Sequence, residues 1–223
     1  MFLYAHMALA HLLTNQIQVK ELGDYLLGSI IPDVCYFLHR DRDWTHISIE
    51  EVNHLGGIPE EKSFETGYKV HLAIDLLRRE RKIAQALRSC LPKFIANNFN
   101  DQLFIILPDV YYMRYRRFKI PSPQKFDFAL TRHLGIESEF VLSIYKMCED
   151  FFNDPSLRKG IKLLEQSRLL SGRRIRIIKA IGLAGVRVPG VEKIVIARIR
   201  KIIVEFERQV VIDVPFMILS ERL

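Results

Sequence analysis

The chain has 223 residues, 49% of them apolar and 26% charged, and 33 Lys and Arg against 26 Asp and Glu leave a net charge of +7. That apolar content excludes a disordered chain, and the length suits one domain with a sizeable core. No apolar run reaches the roughly 18 to 20 residues needed to span a bilayer, and three widely spaced cysteines, Cys35, Cys90 and Cys148, form neither a disulfide framework nor a metal knuckle.

Residues 2–13 carry apolar and small side chains at helical spacing, which predicts a first helix ended near Asn15. The same segment, MFLYAHMALAHLL, has no basic leader and no cleavage site. It reads as the first helix of a mature cytoplasmic protein and not as a signal peptide. A second helix is expected from about Val19 to Leu27, broken by Gly28 and Pro32. Residues 34–66 mix charges, histidines and the Gly56-Gly57-Ile58-Pro59 turn and read as irregular. Residues 67–90 predict one strong helix, with Val70, Ala73, Ile74, Leu77, Ile83 and Leu87 on its apolar face and Pro92 as its stop.

A further helix is expected at 93–107, then a Tyr- and Arg-rich loop at 109–125. Helices follow at 126–134, 137–152 and 155–170. Residues 171–189 are ambiguous, because the β-branched run around Ile175–Ile178 also suits a strand. Residues 190–210 repeat Val191, Ile194, Val195, Ile199, Ile202, Ile203 and Phe206 at helical spacing. The expected fold is all-α: a single-domain, multi-helix bundle over 1–223 with a metal site between helices. Its first part, 1–110, would be a metal-binding helical core, and 111–223 a basic helical half.

Charge is divided to match. Residues 1–112 hold 11 basic and 14 acidic side chains, a net of −3, whereas 113–223 hold 22 and 12, a net of +10. Six of the seven histidines lie in the acidic part. In GYKVHLAIDLL, His71 and Asp75 are one helical turn apart, so both leave the same face. An imidazole and a carboxylate so placed can grip one Zn²⁺ at about 2.0–2.2 Å. The spacing alone fits a plain His–Asp hydrogen bond equally well. Asp33 in LGSIIPD ends a Gly–Pro turn, where a carboxylate can bend back into a bundle or stay in solvent. His46 in DWTHIS and His6 on the first helix are each, alone, ordinary loop and helix histidines.

Taken in order, AHMALAHLL, LGSIIPDV, WTHIS and GYKVHLAID form a set. Across roughly residues 4–80 it resembles the zinc-dependent phospholipase C superfamily, and most nearly the catalytic domain of glycosylphosphatidylinositol-specific phospholipase D. The resemblance implies that Asp33, His46, His71 and Asp75 hold one zinc. It implies that Asp75 bridges to a second zinc carried by His6 and main-chain groups near Met1. A metal-activated water would attack a phosphate ester such as a phospholipid, with Asp33 as the catalytic carboxylate that orients it. One or two ions are expected, zinc or another divalent metal, because the family's third site begins with a His where this chain reads LLRRERK. His133 and Glu137 repeat the HxxxE spacing far downstream and read as surface residues. Arg78 and Arg79, just beyond Asp75, could bind the substrate phosphate in place of the third metal.

The Tyr111–Lys119 stretch interleaves aromatics and arginines, which suits base stacking, an anionic membrane surface, or a loop that simply packs its tyrosines. Arg173, Arg174, Arg176 and Lys179, and then Arg198, Arg200 and Lys201, make two further basic clusters that suit amphipathic helices. The alternative to a hydrolase is therefore a helical scaffold that has lost catalysis and binds anionic membrane or nucleic acid through its basic half. A His-Asp phosphohydrolase is disfavoured, since no His-Asp dipeptide occurs.

Overall fold

A computed structural model describes residues 3–55, 58–90, 108–109, 111–112, 115–116, 118–153, 159, 162, 165–167 and 191–219. Every regular element among them is helical, so the fold is all-α. The helix expected at 93–107, the ambiguous 171–189 stretch with its arginine cluster, and most of the helix expected at 155–170 lie outside the described residues.

Helix α1 (Leu3–Leu13) is buried on nearly every side, from Leu3 to Ala10 and again at Leu13. A helix apolar all round belongs in the middle of a core. Helix α2 (Leu22–Gly28) and helix α5 (Lys62–Glu80) cross at two glycines. A Cβ on Gly28 would stand 2.0 Å from the Phe64 carbonyl oxygen, and one on Gly67 would stand 1.9 Å from that of Tyr25. Only glycine permits main chains this close.

The segment expected to be irregular, 34–66, instead follows a 3₁₀ turn at Ile31–Val34 and holds short α3 (Cys35–Leu38) and α4 (Ile49–Leu55), single 3₁₀ turns at Arg42–Trp44 and Pro59–Glu61, and the first turn of α5. Their brevity erased the periodicity that longer helices show. The helix expected over 67–90 is two: α5 ends at Glu80, and Lys82 takes a left-handed φ of 49° that turns the chain into α6 (Ile83–Ser89).

Part of the expected 109–125 loop is helical, at 109, 111–112 and 115. Helix α7 (Ala129–His133) is shorter than expected, and α8 (Ser138–Asn153) falls nearly where the spacing put it. Helix α9 (Val191–Leu219) runs past residue 210 and through Pro215, with Val210 and Val214 fully buried. It packs along α5 and touches α1 and α6, while α4 leans on α7. One cluster of buried apolar side chains reaches from Leu3 to Val214, so both charge halves feed the same core. No described helix is long and apolar enough to cross a membrane.

Candidate metal centre

Four segments meet where α1, α2 and α5 converge. Helix α1 brings His6, which is wholly buried. The chain leaving α2 is folded tightly by Ser29, whose hydroxyl donates to the Leu26 carbonyl at 2.7 Å. Pro32 then opens the 3₁₀ turn that carries Asp33 inward, 2% exposed. Thr45 ties the next loop down by donating to the Pro32 carbonyl at 2.5 Å, and Tyr68 of α5 donates to the Thr45 carbonyl. That double tie places His46 beside α5. Helix α5 supplies His71 and Asp75 from a single face.

All five residues expected from the sequence come together. Donor atoms of Asp33, His46 and His71 lie within 4.8 Å of one another, as do those of His6, His71 and Asp75. The imidazoles of His6 and His71 stack at 3.8 Å between centroids.

The histidines divide into two kinds. His71 Nδ1 donates to the Ser29 carbonyl at 2.8 Å, and His46 Nδ1 donates to the Arg42 carbonyl at 3.0 Å. A carbonyl only accepts, so in both rings the proton sits on Nδ1 and Nε2 keeps its lone pair. Both Nε2 atoms are buried without a hydrogen-bond partner. They stand 3.8 Å (His46) and 3.9 Å (His71) from Asp75 Oδ2, and His71 Nε2 is 3.9 Å from Asp33 Oδ1. Burial lowers the pKa of both imidazoles, that of His71 strongly, so they are neutral near pH 7.

His6 behaves oppositely. Its Nδ1 meets Asp33 Oδ2 at 3.1 Å and its Nε2 meets Asp75 Oδ1 at 3.2 Å. Burial opposes its charge, but the hydrogen bonds and charges of the two carboxylates outweigh burial and raise its pKa. Asp33 is subject to burial that favours its neutral form, yet His71 and His6 hold it ionised, down to about 2. Asp75 is likewise held well below the usual carboxylate range, against burial, chiefly by His6.

These donors could hold a divalent cation. The two Nε2 lone pairs face the carboxylates with no proton donor of their own, and an unpartnered buried polar atom is costly. Direct hydrogen bonds would draw such atoms to about 2.7–3.2 Å. Four donors about 2.1 Å from a tetrahedral ion stand about 3.4 Å apart. Three of the separations, His46–Asp75, His71–Asp33 and His71–Asp75 at 3.8–3.9 Å, are a few tenths of an ångström wider than that. Two nitrogens and two carboxylates form a ligand set suited to zinc.

Beside the centre opens a cleft of about 380 Å³, lined by Arg42, His46, Asp75 and Arg79 and walled by apolar side chains that include Leu72 and Leu76. Asp33 does not line it. Of the arginines expected to bind phosphate, Arg79 is exposed on this cleft, whereas Arg78 is turned back to bond Asp75 Oδ1 at 3.2 Å. Arg42, which sequence reasoning passed over, bonds Asp75 Oδ2 and lines the cleft. Nothing in DRDWTH distinguishes it from a solvated loop arginine. The support from Ser29, Thr45 and Tyr68 was also missed, although the Thr-His pair carried a trace of it.

The remaining histidines are elsewhere. His133 is exposed and pairs with Glu51 at 3.1 Å, not with the exposed Glu137. His11 stacks on Phe118 at 4.6 Å, and His39 and His54 are exposed. Tyr111 and Tyr112 are buried, and Arg116 pairs with Glu207 at 3.2 Å. Those two tyrosines pack into the core, while Tyr115 of the same stretch is exposed. Met1, the expected main-chain neighbour of His6, lies outside the described residues.

Comparison of the chain with protein-family models, with curated proteins and with solved structures finds no match.

Proposed function

We propose that the protein is a metal-dependent phosphodiester hydrolase, with zinc or a related divalent cation held by Asp33, His46, His71 and Asp75. The observation that carries this reading is the pair of buried, unpartnered Nε2 atoms of His46 and His71, facing two ionised carboxylates. An ion bound there supplies Lewis acidity toward a phosphoryl oxygen and a lower pKa for water. The chain does the rest. Main-chain carbonyls hold both imidazoles in one tautomer, and His6 aligns both carboxylates. Leu72 and Leu76 give the cleft an apolar wall.

His6 has both nitrogens engaged, and His71 offers only one free nitrogen. These engagements favour a single ion over two. In this reading Asp33 is a ligand, since it does not reach the cleft where a reacting ester would sit. The substrate class is a phosphate ester, with a phospholipid the member that the resemblance favours.

A second reading has its own support. His6, Arg42 and Arg78 already neutralise the two carboxylates, so the cluster could serve as a metal-free structural network in a non-catalytic scaffold. Metal analysis of protein purified without chelator separates the two, alongside hydrolysis of bis-p-nitrophenyl phosphate. The hydrolase reading expects one equivalent of zinc and turnover, both lost in H71A and in H46A. Protein with no divalent metal and no turnover after zinc is added supports the scaffold.

A further inference from the structure

The two oxygens of Asp75 face different surroundings. Oδ1 is shared by His6 Nε2 and Arg78 Nε, both at 3.2 Å. Oδ2 is the oxygen turned toward the free Nε2 atoms of His46 and His71, and the cation resting on it is the guanidinium of Arg42. Arg42 stands on a one-turn 3₁₀ segment with its side chain 31% exposed, at the edge of the cleft. Arg78 is more enclosed, at 15%, and is tethered one turn along the same helix.

A divalent cation and this guanidinium would compete for the same carboxylate oxygen. A divalent cation and a guanidinium held within about 4 Å of each other repel. One of them must leave, and Arg42 is the one with solvent beside it. It already lines the cleft, which exposed Arg79 lines as well. Two guanidiniums there would present forked donors to an oxyanion, the geometry that suits phosphate.

We propose that Arg42 is a movable phosphate-binding residue, which bonds Asp75 when no divalent cation is present and pairs with Arg79 on the substrate phosphate once the cation is bound. This rests on the metal-dependent reading of the same centre. It also gives metal loading and anion binding a shared switch: the anion site forms only when the ion has displaced the arginine.

The test is calorimetric titration of the full chain, first with zinc and then, on the zinc-loaded protein, with inorganic phosphate. Wild type is compared with R42Q, R42K and R79Q. The expected result for R42Q is zinc binding at least as tight as wild type, since a competitor is gone, and phosphate binding weakened about tenfold or more. R42K recovers part of the loss, because lysine keeps the charge without the fork. R79Q, altered at an exposed position that folding does not depend on, weakens phosphate binding with zinc affinity unchanged.

Phosphate binding unchanged in R42Q or R79Q overturns the inference. So does zinc binding that weakens in R42Q, which would make Arg42 a prop for Asp75. Wild type that takes up no zinc overturns the metal reading and this one together, whereas zinc uptake with unaltered phosphate binding in R42Q overturns this one alone.

Discussion

Replacing Gly67 with alanine puts a methyl carbon 1.9 Å from the Tyr25 carbonyl oxygen and 2.8 Å from its carbonyl carbon. Ordinary carbon–oxygen contacts begin near about 3.3 Å, so α2 and α5 would have to separate by about 1.4 Å at the crossing. Overpacking costs about 1–3 kcal/mol where side chains can adjust. Here both obstacles are main chain, which puts the cost at about 3 kcal/mol or above. For a chain of this size that lowers Tm by about 6–12 °C.

The separation also reaches the His/Asp cluster. Asp33 hangs from the end of α2, and His71 and Asp75 lie one and two turns beyond Gly67 on α5. In the zinc reading proposed above, moving donors already 3.8–3.9 Å apart by such a distance would weaken zinc binding about 10- to 100-fold. Circular dichroism melting of the metal-free protein reads the first effect and zinc titration of the folded variant the second. G135A is the control. Gly135 has a φ of 63°, and a Cβ there would meet nothing within 4 Å, so it should lose about 1–2 kcal/mol and leave any zinc affinity unchanged. A G67A protein that melts with wild type and binds zinc equally would refute the close-crossing argument.

Acidification gives a second prediction, for the metal-free protein. Burial holds His46 and His71 below the unfolded value of 6.5, so their contribution to stability is present above that pH and lost as pH falls through it. His6, raised above 6.5, contributes fully below that value and loses its share only as pH rises past its folded pKa. Asp33 and Asp75 keep theirs until pH drops below the ordinary 3.8. Urea unfolding should therefore show stability falling from pH 6.5 to 5, at up to about 1.4 kcal/mol per pH unit for each buried imidazole. Stability that rises over this range would contradict the assignment.

Glu61 is 2% exposed and accepts from Lys125 Nζ at 2.6 Å and from the Ala129 amide at 2.8 Å. E61A should cost about 1–3 kcal/mol by leaving that amide unmet, with zinc affinity unchanged; a loss of zinc would show the two regions are coupled. Cys148 is buried and its thiol pushed up to about 12, so Ellman's reagent should reach it only after unfolding, and rapid labelling of the native protein would disprove its enclosure.

Much of this was legible in the order of the amino acids alone. Long apolar faces announced α1, α5, α8 and α9, and the ordered motifs named the five side chains that converge. What escaped depended on contacts between distant segments. Gly28 and Gly67 looked like a helix stop and a helix start, yet each is the notch into which the other helix settles. Arg42 lies 33 positions from Asp75, and no local spacing connects them. The break at Lys82 hides inside an unbroken run of charged and apolar residues, because a left-handed φ at lysine leaves no compositional mark.

The imidazoles of His46 and His71 are oriented by acceptors that belong to the polypeptide itself, at Arg42 and Ser29. Every amino acid, proline included, carries that oxygen. At Arg42 a different side chain would reshape the cleft and still leave His46 its acceptor, whereas Ser29 is buried and its hydroxyl also holds the Leu26 carbonyl.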